Sequence, residues 1–508
     1  MTLLVLSAAG PKRRPALRWR TSVAKTFNPR WTLMALLALN ALWVPAVVWS
    51  PAALSAPATG SGEAPPALTP AMRTMAQQLM RSALEGDDAA YGLVASLTTE
   101  IGPRQAGTEA EARARQWAVT RLEGMGLHQV KIESFKVPRW QRGEERAEIL
   151  APFPQPLVIT TLGGSIGTGP EGIEAEVVAF GSLGELQSAP EGMVRGKIVF
   201  IDEVMTRTQD GSGYATAGTK RRQSAYEAQH QGARAVLIRS VGTSSHRFAH
   251  TGQMRRVGQP GEEGVPAAAL AAPDADQLRR ILAQGQPVTV RLVLTPRLLP
   301  GADSGNVIAE IPGRAEADEI VLAGAHLDSW DLGTGAVDDG AGVAIVMAAV
   351  RLLLNQLAEP PRRTIRIVLF GSEEVGLVGA RAYAEQHAAE LPGHIIAVES
   401  DFGAGDIWRF DSAVAEDKIP AAMAIGELLR PLGIGPGGNN ARGGPDLLYL
   451  REAGVPVADL KQNGWDYFDL HHTANDTLDK IVPGGLRLNV AAYAVFLYLA
   501  AESGLTFR

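Results

Sequence analysis

The chain contains no cysteine in 508 residues. That absence excludes disulfides, thiolate metal sites, cysteine nucleophiles and a lipid-modified N-terminal cysteine. A metal centre here has only His, Asp and Glu to draw on, a donor set that suits zinc or another divalent ion. A long phosphate-neutralising basic run is also missing, and the net charge is -6. Nucleic acid is therefore not an expected partner. What is present is the composition of a globular protein, 46% hydrophobic and 20% charged. The length predicts two or three structural units.

The N-terminus reads as an export signal. Lys12, Arg13, Arg14, Arg18, Arg20, Lys25 and Arg30 precede the apolar run Trp31 to Ser50, and small residues follow it. This order defines residues 1–56 as a secretory signal with a cut near Ala52 to Ala56, or as an uncleaved anchor, since the run is about long enough to span. A periplasmic or secreted location is expected. Residues 57–85 begin as a Pro/Gly/Ala-rich linker, with a helical pattern from about Ala71. In 86–162, the spacing predicts a helix over 108–126, capped by Thr108 and apolar along Trp117, Leu122 and Met125. The alternation in VKIESFKV predicts a strand. From 163 to 295, short strands such as GKIVFID alternate with glycine-rich turns, the texture of a separate inserted domain.

Residues 296–508 carry the strongest signal. Strands are expected in NVIAEIPG, EIVLAGAHLD, TIRIVLFGSEE, HIIAVESDF and VPVADL, with helices between them and an apolar core helix, LRLNVAAYAVFLYLAAES, near the end. Such alternation predicts an α/β fold whose mostly parallel sheet is covered by helices on both faces. Ligands in such folds sit at the carboxyl ends of strands.

Those ends carry the chemistry. His326 and Asp328 close one strand, and Asp338-Asp339 precede a helix. Glu373-Glu374 and Asp401 close two further strands, and His471-His472 lie in a late loop. Taken singly, Asp339 is a helix cap, paired glutamates are a solvated face, and loop histidines are surface residues. Five such groups at the strand ends of one domain need a common partner, because unpaired buried carboxylates are costly. A dication supplies it. His326, Asp338, Glu374, Asp401 and His472 are enough for two zinc ions sharing one bridging carboxylate, about 3.5–4 Å apart. Glu373 is then free to act as general base. Asp328, on the strand face of His326, would fix the imidazole tautomer with its carboxylate. Asp331 has no sequence-level explanation.

The ordered motifs His326-x-Asp328, Asp338-Asp339-Gly340, Glu373-Glu374-x-Gly376 and His472-Thr-x-x-Asp476-Thr477 resemble the co-catalytic zinc aminopeptidase and carboxypeptidase family. Further fragments, among them IGPRQAGT, VPRWQRGEE, GGSIGTGPEGI and FDLHHTANDT, are similar to its plasma glutamate carboxypeptidase branch. The resemblance spans most of the chain after about residue 90. It implies a three-layer αβα exopeptidase domain with a protease-associated domain inserted at 163–295. It implies that Asp338 bridges two Zn2+, with His326 and Asp401 on one and Glu374 and His472 on the other. It further implies Glu373 as the base, a cis peptide at Asp338-Asp339, a homodimer, and a propeptide before about residue 90. The loop Gly433 to Leu450 departs from the family pattern. Arg442 within it is a candidate for a substrate carboxylate, and His471 for the tetrahedral oxyanion. The expected activity is hydrolysis of dipeptides or short peptides with free termini. The alternatives are an aminopeptidase on longer peptides, a single-zinc acyltransferase, and a non-catalytic binding protein on the same scaffold.

Overall fold

The computed structural model describes residues 68–86, 88–255 and 264–508. The export segment and most of the linker lie outside the described residues. The first sheet has eight strands. At its centre Glu316–His326 runs parallel to both Arg363–Phe370 and His394–Glu399, and Val457–Gln462 adds a fourth parallel strand. Successive side chains alternate between faces. Val321, Ala323 and Ala325 pack with the helices Ala341–Gln356 and Pro483–Glu502, whereas Leu322 packs with Ala380 and Tyr383 of the helix Val378–Gln386. Burial on both faces explains why these strands read as unbroken apolar runs. Pro483–Glu502 is apolar and long enough to cross a membrane, but it is largely buried in the core.

Parallel pairing dominates only the centre. Arg297–Ile311 is antiparallel to Arg363–Phe370 and to the long strand His128–Gln141, and Ile407–Ala413 is antiparallel to Val457–Gln462. The first of these departures has a simple cause. His128–Gln141 carries the chain out of the first sheet and Arg297–Ile311 brings it back, so the two form an antiparallel stem.

Beyond the stem lies a second eight-stranded sheet with its own apolar centre, including Ile149, Val177, Phe200, Leu237 and Val290. It begins at Glu145, earlier than the boundary expected at 163, because Glu145–Ala151 pairs with Thr289–Leu294. Pro152, Pro154 and Pro156 interrupt the alternation there, which hides short strands from sequence reading. The expected helix after Thr108 is present as Glu109–Gly124, with the Thr108 side chain accepting from Glu111 N. Within the expected linker 57–85, Pro70–Glu85 is a helix that buries Leu79 and packs on Pro483–Glu502.

A buried histidine at the start of the strand His394–Glu399 predicts acid sensitivity. Tyr383 Oη donates to His394 Nε2 at 2.8 Å, and His394 Nδ1 donates to Glu390 O at 3.0 Å. Both contacts suit the neutral ring, and burial lowers the His394 pKa to about 4. An unfolded histidine takes its proton near pH ~6.5. Between that value and about 4 the unfolded state binds the extra proton, so stability falls as pH falls, by on the order of 3 kcal/mol across the window. His394→Gln is expected to flatten that part of a stability-versus-pH curve. An unchanged slope would show that the ring does not titrate as argued.

Candidate metal centre and catalytic site

His326 is the last residue of its strand. Its backbone N–H donates to Asp339 Oδ2 at 3.1 Å, and its Nδ1 donates to the backbone carbonyl of Asp328 at 3.0 Å. That leaves Nε2 aimed at Asp338 Oδ1 and Asp401 Oδ1, 3.2 and 3.4 Å away. The other oxygen of Asp338 lies 3.4 Å from His472 Nε2, which is itself 3.0 Å from Glu374 Oε2. Asp338 therefore stands between two donor sets, one built on His326 and Asp401 and the other on Glu374 and His472. His471 Nε2 approaches the same carboxylate to 3.7 Å, so a donor set of Asp338, His471 and His472 also meets metal-binding spacing.

The remaining acids hold the frame. Asp339 caps the following helix by accepting from Gly342 N, and the Asp338-Asp339 peptide is cis, as expected. Asp328 differs from expectation. Its carboxylate accepts from the backbone N–H groups of Glu373 and Glu374 and lies 3.8 Å from His326 Nδ1, so its carbonyl, not its carboxylate, orients the ring. The strand ends at His326, so the two-residue alternation no longer applies at position 328. Glu373 is half-buried beside the cluster, and burial, followed by the Asp401, Asp328 and Asp338 carboxylates, pushes its pKa up to about 8. Burial and the neighbouring carboxylates also raise Glu374 well above the ordinary range.

Several contributors had no role assigned from sequence, Asp476 among them although it lies in the quoted motif. Arg104 is fully buried and donates to the carbonyls of Leu327, Thr334 and Gly335. Asp476 accepts from Val337 N and Asp338 N, tying the late loop to the bridging position. Asp331 is gripped by both arms of Arg142, each at 2.8 Å. The second-sheet unit supplies Tyr214, which stacks on Phe468 and meets His471 edge-on, and Arg221, 3.5 Å from His472 Nδ1. Arg104 and Arg142 lie inside the quoted fragments IGPRQAGT and VPRWQRGEE, the only signal that could have found them.

A cavity of about 1430 Å³ opens over the cluster. Its lining comes from both units, Tyr214 and Arg221 from the second-sheet unit and Arg442 and Lys461 from the first. Glu373, Asp401, His471 and His472 reach it, as do Asn440 and Pro445 of the divergent loop. The donor residues fit a metal: Asp338 Oδ2 and Glu374 Oε1 are buried with no hydrogen-bond partner. Oxygen and imidazole nitrogen donors without sulfur match zinc in a hydrolytic site.

A peptidase that works through a metal is the class this fold and donor set define. The chain belongs to peptidase family M28, whose profile matches residues 306–497. Carboxypeptidase Q of Mus musculus is 35% identical to it over 413 residues, covering 81% of this chain and 85% of that protein. Carboxypeptidase Q of Homo sapiens is 35% identical over 412 residues, with the same coverage. The crystal structure of a peptidase M28 precursor from Shewanella amazonensis SB2B is 48% identical, with a TM-score of 0.84, and the match covers 86% of this chain and 98% of that one. A zinc aminopeptidase from Bacillus subtilis shares the fold at 21% identity and a TM-score of 0.59, covering 82% of this chain and 95% of that one. The protein is a peptidase of this family whose donor set fits a metal ion.

Proposed function

We propose that this metallopeptidase is a dizinc exopeptidase acting on dipeptides or short peptides with free termini. The observation that carries the reading is Asp338, whose two oxygens face His326 and His472 on opposite sides. In this reading His326 and Asp401 would hold one ion and Glu374 and His472 the other, with Asp338 between the two sets. Zinc bound there would polarise the scissile carbonyl and acidify the attacking water. Glu373, at the cavity wall, accepts the proton of that water and returns it to the leaving amine. His471 is kept neutral, since burial lowers its pKa to about 3. A neutral ring still offers one N–H to the developing oxyanion. The second-sheet unit is read as a protease-associated domain, and residues 1–56 as the export segment.

Arg442 extends an exposed side chain at the cavity wall, where its fork suits a substrate carboxylate. The cavity volume favours a second reading, an aminopeptidase on longer peptides, because about 1430 Å³ exceeds what a dipeptide fills. Comparing free, N-acetylated and C-amidated dipeptides separates the two. Amidation is expected to reduce kcat/KM by about 10–100-fold, the value of a lost charge-assisted hydrogen bond. Arg442→Ala is expected to raise KM for free dipeptides and leave the amides unchanged. Equal cleavage of amidated and free substrates would favour the aminopeptidase reading.

A further inference from the structure

The late loop does not hold His472 in place by itself. His472 adopts a left-handed backbone conformation, φ +62°, which is unfavourable for a residue with a side chain. The segment His250–Gly252 of the second-sheet unit lies against it. Thr251 N donates to His472 O at 3.0 Å, and His472 Nδ1 donates to Thr251 O at 3.3 Å. This reciprocal pair engages Nδ1 and turns Nε2 toward Glu374 and Asp338. His250 Nδ1 donates to His471 O at 2.8 Å and adds a third tie. Gly252 permits the approach, because a Cβ there would stand 2.7 Å from His472 Nδ1 and 2.5 Å from Arg221 Nη1.

The same segment is anchored to the other ligand-bearing loop. Arg142 Nη2 donates to Thr251 Oγ1 at 3.1 Å while the guanidinium holds Asp331 with two bonds. Its Nη1 donates to Thr161 O and Thr160 Oγ1. Thr251 Oγ1 donates to Thr161 O as well. An unbroken chain of contacts thus runs from Asp331, in the loop between His326 and Asp338, through Arg142 and Thr251 to His472.

We propose that Asp331, Arg142 and Thr251 are positioning residues that set the His472 ring for the metal it shares with Glu374, so that the second-sheet unit completes the metal centre. His326 lies outside this chain of contacts, being oriented by its own strand, the Asp328 carbonyl and Asp339. The inference rests on the dizinc reading and predicts a site-selective effect. Partners of metal-binding histidines contribute about 10–100-fold to metal affinity.

The test is zinc retained per chain by the full protein against increasing chelator, with the unfolding midpoint measured in parallel. Arg142→Lys and Asp331→Asn are each expected to release one of two zinc equivalents at about tenfold or more lower chelator. The second equivalent is expected to match wild type in each, although the metal-free unfolding midpoint falls for Arg142→Lys, which breaks a buried fork. The double variant is expected to lose no more than either single one, as for partners in one contact. Thr251→Val, which keeps the carbonyl and removes the hydroxyl, is expected to show the same selective release. Retention of both equivalents as in wild type would overturn the inference. So would loss of both together with a lowered midpoint, the signature of a merely structural role. Wild-type protein that holds only one equivalent would overturn the dizinc reading, and this inference with it.

Discussion

Glu373→Ala is expected to lower kcat by about 10²–10⁴-fold, the range for loss of a general acid–base group. Zinc content is expected to stay unchanged. The two expectations separate Glu373 from its neighbour. Both glutamates line the cavity, but Glu374 Oε2 lies 3.0 Å from His472 Nε2, whereas Glu373 belongs to neither donor set. Its loop is held from the backbone, where Asp328 accepts from the N–H groups of both glutamates, so truncating the side chain leaves the peptide path supported. Stability provides a further contrast. A carboxyl group that burial and three like charges push to about 8 is no asset to the metal-free fold. Its removal is expected to leave the unfolding midpoint equal or higher, the usual relation between a functional group and stability. Steady-state kinetics, metal analysis and thermal unfolding on one preparation check all three. Retained turnover would remove Glu373 from the mechanism, and lost zinc would make it a ligand instead.

The second large effect belongs to Arg104 and is one of stability. Its guanidinium is fully buried and donates to three carbonyls of the loop between His326 and Asp338, at 2.6, 2.8 and 2.8 Å. Asp476, Asp328, Asp339 and Asp338 all lie close enough to act on its charge. Arg104→Met would deprive the carbonyls of Leu327 and Thr334 of their donor, leave Gly335 O only its bond from Gly340 N, and remove a positive charge from an acidic cluster. The expected loss is about 3–5 kcal/mol of unfolding free energy. Arg104→Lys is expected to recover only part of it, because a single ammonium cannot reproduce a planar fork. Denaturant unfolding of the metal-free protein measures both. A change within about 0.5 kcal/mol, typical of an uninvolved surface residue, would refute the role.

The two predictions differ in how they could be found. Glu373 stands at the end of TIRIVLF, where a charged pair closes an apolar strand, and that contrast is local. The same holds for His326, Asp338, Glu374, Asp401 and His472, and the structure brings all of them together. Arg104 carries no such contrast in its own neighbourhood, since its partners lie 223 to 231 residues away. Asp331 was without explanation for the same reason, because the Arg142 that grips it is 189 positions earlier. Asp328 shows a different limit. The alternation of a strand placed it beside His326, but the strand ends at His326 and the chain turns, presenting its carbonyl where the carboxylate was expected.

The sequence alone marked out the candidate donor residues, the α/β core around them and the absence of any thiolate ligand, because composition and hydrophobic pattern are properties of neighbouring residues. Tertiary structure alone decided how those donors are held. The second-sheet unit folds back over the strand ends on an antiparallel stem, and Thr251, 221 positions from His472, meets it there. Such contacts depend on where two separately folded segments dock, and no local pattern encodes that distance.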